Sequence, residues 1–153
     1  PPDGLPTGML SFLPFAASAN LAIWSDVLSS IGGWREDFVD GYEDVELSWR
    51  AQLAGHELAF AADAVMRYRL RGGLGQLAKQ SYRYGRMAPK LYREYRSSGM
   101  PVSSRRVART WLRLALGTVR LPVDRRYRGM WVRHTSYRAG RLAGSARHRV
   151  LYL

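Results

Sequence analysis

The chain has 153 residues, 46% of them hydrophobic, with a formal net charge of +12. That is enough length and apolar content to bury one sizeable core. The absence of cysteine rules out a disulfide framework and thiolate metal sites, and suits a cytoplasmic setting. No run of eighteen apolar residues marks a transmembrane helix. The net charge hides a sharp division. Residues 1–66 carry Arg35 and Arg50 against ten acids, a balance of −8, whereas residues 67–153 carry 22 Lys or Arg against Glu94 and Asp124, a balance of +20. Two parts so different in charge are expected to face different partners.

The chain opens on Pro1-Pro2 rather than Met, with no signal peptide ahead of the first patterned stretch, so the expectation is a fragment that begins mid-protein. Residues 1–8, rich in Pro and Gly, read as an entering loop. Met9 to Ile23 is apolar and small-residue-rich, the pattern of a buried strand, with Pro14 arguing for an edge or a break. Ser25 is a good N-cap for a short helix over Asp26 to Ile31, which Gly32-Gly33 would stop. A turn over Asp37 to Tyr42 precedes a helix from about Asp44 to Ala54, where Val45, Trp49 and Leu53 recur as a core-facing stripe and Gly55 closes the element. Glu57 to Leu70 reads as one or two strands around a turn at Ala62-Asp63. Strand, helix, helix and strand in succession predict an α/β class. Only about three strands are present where roughly five are usual, so part of the sheet is expected to lie upstream.

From Gly72 the pattern turns helical. Leu74, Leu77, Tyr84, Met87, Leu91 and Tyr95 can line one face, with Lys79, Arg83, Arg86, Lys90 and Arg93 largely off it, and Pro89 is expected to kink or restart the helix. Ser98-Gly99-Met100-Pro101 is a break, after which Ser103 or Ser104 caps a second helix carrying Val107, Trp111, Leu114 and Ala115 on one side. Pro122 ends it. A third helix is predicted over Arg125 to Ala143, and Arg147 to Leu153 reads as a tail or a short strand.

The densest chemistry lies in Gly41-Tyr42-Glu43-Asp44-Val45-Glu46-Leu47-Ser48-Trp49-Arg50. It places three carboxylates in the first turn of a helix, behind the Gly32-Gly33-Trp34 turn. Exposed N–H groups and the partial positive charge of a helix N-terminus hold carboxylates in place. A positioned carboxylate beside a loop is what a general base requires. Plain helix capping with a solvated acidic turn is the alternative from spacing alone.

These residues carry a resemblance. The Gly-Gly-Trp turn followed by Glu43-Asp44-Val45-Glu46-Leu47-Ser48-Trp49-Arg50 resembles the C-terminal half of family 2 glycosyltransferases. The likeness extends to Leu13-Pro14-Phe15, Ala19-Asn20, Gly55, the stretch from Phe60 to Arg71, Tyr82-Arg83-Tyr84-Gly85-Arg86 and Gly140-Arg141-Leu142-Ala143-Gly144-Ser145. It implies an α/β fold of the GT-A type, here partial, and inverting transfer from a nucleotide-activated sugar to an acceptor hydroxyl. In that family's scheme Asp44 is the general base and Glu43 helps position acceptor or donor. Asn20, whose amide both donates and accepts, lies near sugar hydroxyls. Trp34 and Trp49 are candidates for stacking on sugar faces, although core packing is the favoured role for each.

The family's Asp-x-Asp metal motif is missing, so the nucleotide-binding half is expected to lie outside these residues. A divalent cation, Mg²⁺ or Mn²⁺, is implied for the intact enzyme. Where many relatives have a histidine after the Glu-Asp helix, this chain has Arg67, which can clamp a diphosphate bidentately or simply face solvent or lipid. His56, His134 and His148 share no ligand spacing, so no metal is assigned to them.

The arginine-rich helices, with Trp, Tyr and Leu interleaved, fit an anionic membrane surface, which attracts each nearby Lys or Arg by about 1 kcal/mol. Nucleic-acid binding is the weaker option because no recognition motif is present. A solvated helical subdomain completing the acceptor site is a third. The expectation is therefore residues 1–71 as the acceptor-side half of a GT-A catalytic domain and 72–153 as a basic amphipathic helical region. The enzyme would be cytoplasmic, peripheral on the inner face of the plasma membrane, and would glycosylate a cell-envelope or lipid-linked acceptor. A catalytically inactive membrane- or polyanion-binding module is the alternative.

Overall fold

A computed structural model describes residues 4–7, 10–67, 69, 72–102, 104–121 and 124–153. Backbone contacts divide the chain into two compact units, Pro1–Arg69 and Leu70–Leu153.

The first unit is built around two helices, α1 (Ser25–Ser30) and α2 (Glu43–Leu53), with 3-10 turns at Ser18–Asn20 and Glu36–Phe38. Helix α1 stops at Gly32 and Gly33, whose φ angles of 82° and 74° lie in the left-handed region that glycine enters without strain. Helix α2 starts from Tyr42 at φ 69°, after Gly41, and no side chain caps it. Five consecutive residues of α2, Val45 to Trp49, are buried. A helix enclosed on all sides is a core element rather than a surface stripe. Leu53, expected on the core face, is exposed instead. Trp49 is fully buried, donates its indole N–H to the Leu13 carbonyl at 2.9 Å and meets Phe12 edge-on at 5.0 Å.

The expected α/β, GT-A-type architecture is overturned: the described residues form five helices and no strand or sheet. The stretches predicted as strands contain backbone suited to one, with Leu21 at φ −123° and ψ 129°. No ladder forms, however, and Leu21 to Ile23 and Glu57 to Phe60 run without regular backbone pairing. Alternation of apolar residues favours an extended chain, but a strand exists only when a second one meets its N–H and C=O groups. Tyr68, Leu70 and Arg71, the end of the second predicted strand, lie outside the described residues.

The second unit holds α3 (Leu74–Tyr95), α4 (Ser104–Gly117) and α5 (Arg125–His148). Helix α3 runs through Pro89, where a kink or restart was expected; the proline is buried, with its ring beside Gly144. The buried face of α3 is the predicted one only in its C-terminal half. Ser81, Gly85 and Ala88 join Met87, Leu91 and Tyr95 inside, while Leu74 and Tyr84 are exposed. Small residues win because α3 and α5 touch backbone to backbone. A Cβ on Gly85 would strike the Tyr137 carbonyl, one on Gly140 the Tyr82 carbonyl, and one on Gly144 the Arg86 carbonyl. Contacts advance in the same direction along both helices, from Tyr82 with Gly140 to Arg86 and Pro89 with Gly144, so the two run parallel, and beyond α5 the Tyr152 ring stacks on Tyr92 at 4.5 Å. Glycine spaced by four residues permits this approach.

The tail after α5 is clamped rather than paired as a strand. Ser145 Oγ accepts the Tyr152 N–H and donates to its carbonyl, both at 3.2 Å, and the Arg141 guanidinium lies 3.9 Å from the Tyr152 ring centre. Arg138 is buried, with Nη1 making no hydrogen bond among the described residues; burial first, and Arg141 second, push its pKa down.

The unit also contains two histidines that resist protonation. Burial lowers the pKa of His148 below 6.5, helped by Lys90, Arg147 and Arg93 and opposed by Glu94. His134 is lowered by burial, then by Arg133 and Arg138. Between the lowered values and 6.5 the folded chain binds fewer protons than the unfolded one, so the stability present above pH 6.5 is lost as pH falls through that interval. Thermal melts are therefore expected to show a lower Tm at about pH 5 than at about pH 7.5, and His148→Gln is expected to shrink that difference. An undiminished difference in the variant would remove His148 from the effect.

Candidate functional site

Glu43 and Asp44 occupy the first turn of α2 and are half-buried. Asp44 is held from two sides. Oδ1 accepts the Val45 N–H at 2.8 Å and Oδ2 accepts the Ser18 N–H at 2.9 Å. The second bond spans 26 residues of sequence and fixes the 3-10 turn Ser18–Asn20 against the start of α2. Ser48, one helical turn on, donates to the Asp44 carbonyl at 2.7 Å and accepts the Ala16 N–H at 3.2 Å. The same helix turn thus anchors the segment at both Ala16 and Ser18.

Beside this anchor lies a cleft of about 820 Å³, walled by the segments 15–24 and 56–66 and by Leu47, Ser48, Ala51 and Gln52 of α2. Ser18 and Ser48, the two residues Asp44 holds, both line it, whereas Asp44 and Glu43 themselves sit behind that wall and do not. Asn20 also lines it, but its amide already donates to the Ala64 carbonyl at 2.6 Å, tying one wall to the other. That bond uses one of the two amide N–H donors, so the side-chain oxygen and the second N–H are left for a ligand. His56 lines the cleft and lies 3.4 Å from the Ser30 hydroxyl. A volume of this order falls within the range of about 300–1,000 Å³ common for small-ligand sites, and a mostly apolar lining with few polar groups is their usual make-up.

The other predicted residues are dispersed. Trp49 faces the core, so its ring presents no face to a sugar; packing accounts for it. Trp34 is exposed just after the Gly-Gly turn and does not line the cleft. Arg67 is exposed, one residue beyond Met66 of the cleft wall. The cleft's exposed tryptophan is Trp24, which was given no role from the sequence.

The third carboxylate of the block has a different task. Glu46 is buried, with its side chain 1% exposed, and forms a two-pronged pair with Arg50, Nε to Oε1 and Nη2 to Oε2, both at 2.9 Å. Arg35 reaches Oε1 at 3.4 Å. The same Arg50 guanidinium donates to the carbonyls of Ile31 and of Gly33, the latter at 2.8 Å. The two cations of residues 1–66 therefore converge on one buried acid and lock the Gly-Gly turn to α2. The i, i+4 spacing of Glu46 and Arg50 signalled this pair; the turn carbonyls could be found only in three dimensions.

Among the described residues no three His, Cys, Asp or Glu side chains come together as a cation site, so the residues present do not fit the divalent ion that the family resemblance implies. Compared with protein-family models, curated proteins and solved structures, the chain matches none.

Proposed function

We propose that this chain supplies the acceptor-side machinery of an inverting glycosyl transfer, with Asp44 as the general base. The observation that supports the reading is the placement of Asp44: half-buried at the start of α2, fixed by the Ser18 and Val45 N–H groups, and bonded to Ser18 and Ser48, which line a cleft of ligand size. Each of its oxygens keeps a second lone pair for an acceptor hydroxyl. In the step proposed, that hydroxyl attacks the anomeric carbon of a nucleotide-activated sugar and its proton passes to Asp44. The bond between the anomeric carbon and the phosphate oxygen breaks as the glycosidic bond forms, and the nucleoside diphosphate leaves. Glu43 and the Asn20 carbonyl oxygen orient the acceptor, and exposed Arg67 is offered to the diphosphate. No step is assigned to a metal ion. The basic helices support a peripheral position on the inner face of the plasma membrane, beside an envelope or lipid-linked acceptor, as part of this reading; no helix among the described residues is long and apolar enough to cross a membrane.

That each Asp44 oxygen already accepts one backbone N–H, which makes it a weaker base, favours one other reading, an inactive module that binds membranes or polyanions. Incubating the native polypeptide with membranes and a panel of nucleotide sugars separates the two. Transfer is expected, and Asp44→Asn is expected to leave the thermal melt in place while slowing transfer by roughly two to four orders of magnitude. Transfer at a near-normal rate in that variant would take the base role away from Asp44.

A further inference from the structure

Helix α4 turns an apolar stripe outward. Leu112 and Leu116 are 59% and 67% exposed, and Val119, in the 3-10 turn that follows, is 78% exposed. Spacings of four and three residues put them in one row on the helix surface. Beside that row runs a second one, Arg105, Arg109 and Arg113, each exposed and none making a hydrogen bond or ion pair among the described residues. Together the two rows occupy roughly a third of the helix circumference.

The opposite side of α4 is the one the fold uses. Leu114 is buried and its carbonyl accepts the Trp131 indole N–H at 3.1 Å, Gly117 lies under the Tyr127 hydroxyl, and Trp111 has the Arg138 guanidinium 6.0 Å from its ring centre. Packing in the second unit thus accounts for one face of α4 and leaves the Leu-and-Arg face without a role. A contiguous apolar row on a surface marks an interaction site, unlike single exposed leucines.

We infer that the outer face of α4 is a membrane-docking surface, lying in the headgroup plane of an anionic leaflet with Leu112, Leu116 and Val119 in the acyl boundary and Arg105, Arg109 and Arg113 on the phosphates. Charge complementarity selects the occupant. Residues 67–153 carry 22 Lys or Arg against two acids, so an anionic surface is attracted and a basic or neutral partner is not. The aliphatic row selects among anionic surfaces: a bilayer offers hydrocarbon directly beneath its phosphates, whereas a nucleic-acid backbone offers none. The inference rests on the peripheral placement proposed above and is independent of glycosyl transfer.

The chain has no cysteine, so Leu116→Cys gives a single site for an environment-sensitive fluorophore, and Ser98→Cys, in an exposed turn, gives a control. With phosphatidylcholine vesicles containing about a third phosphatidylglycerol, the probe at position 116 is expected to shift to the blue and the probe at 98 to stay put. Phosphatidylcholine alone should shift neither. In flotation of the unlabelled protein, Arg109→Gln with Arg113→Gln is expected to weaken partitioning by roughly 10- to 30-fold, and Leu112→Ser with Leu116→Ser by at least tenfold. Flotation that is indifferent to the leucine pair would overturn the inference. So would a probe at 116 already shielded without lipid, or tight binding to duplex DNA or RNA by a chain that ignores vesicles.

Discussion

Glu46→Ala is expected to unfold the first unit or bring it close to unfolding. The substitution removes a carboxylate whose side chain is 1% exposed and leaves the Arg50 guanidinium, 22% exposed, without its counter-charge. Breaking a buried pair from one side costs roughly 3–5 kcal/mol, against a total of about 5–15 kcal/mol for a typical domain. Arg50 also holds the Ile31 and Gly33 carbonyls, so the Gly-Gly turn is expected to loosen with it. Denaturant unfolding followed by tryptophan fluorescence is the measurement, with Trp24, Trp34, Trp111 and Trp131 replaced by Phe in parent and variant alike so that the signal comes from buried Trp49. A variant within about 1 kcal/mol of the parent would show that the pair contributes little and that the apolar burial of Val45, Leu47 and Trp49 suffices. The contrast with Asp44→Asn is useful, because two acids two residues apart are assigned opposite tasks, one structural and one chemical.

Gly140→Ala is expected to cost the second unit about 3 kcal/mol or more, because the new methyl meets the Tyr82 carbonyl and the backbone of Arg86 rather than a movable side chain. Gly129→Ala, in the same helix, has nothing within 4 Å of the new carbon. It is expected to be neutral or to stabilise by up to about 1 kcal/mol, the difference in helix propensity. Chemical or thermal unfolding of the two variants side by side separates packing from propensity. Equal effects at the two positions would mean that α3 and α5 do not make this close approach in solution.

The helices were largely legible, and for a local reason. Gly32-Gly33 and Gly99 marked stops, apolar spacing marked α2 and α3, and the breaks at residues 98–101 and at Pro122 bounded α4. Each of these signals acts within a few residues, through φ preferences and one-turn contacts. The faces were less legible. Leu74 and Tyr84 have the character of core residues yet are exposed, because the seam of α3 is set by how closely α5 can approach, which Gly85 opposite Gly140, and Gly144 against the Arg86 carbonyl, allow.

The division of charge between the two ends of the chain, the acidic first turn of α2 and the lack of a metal-binding histidine pattern were fixed by composition and order alone. Tertiary structure decided the rest. It made Glu46 a buried clamp and Asp44 the half-buried neighbour of a cleft, although both lie on the same helix turn. It buried Trp49 and exposed Trp24, two rings of equal hydrophobic content. It also left the predicted strands without a sheet. Periodicity specifies how a segment is disposed along its own length, while pairing, burial and counter-charge depend on what arrives from far along the chain, and no local pattern encodes that arrival.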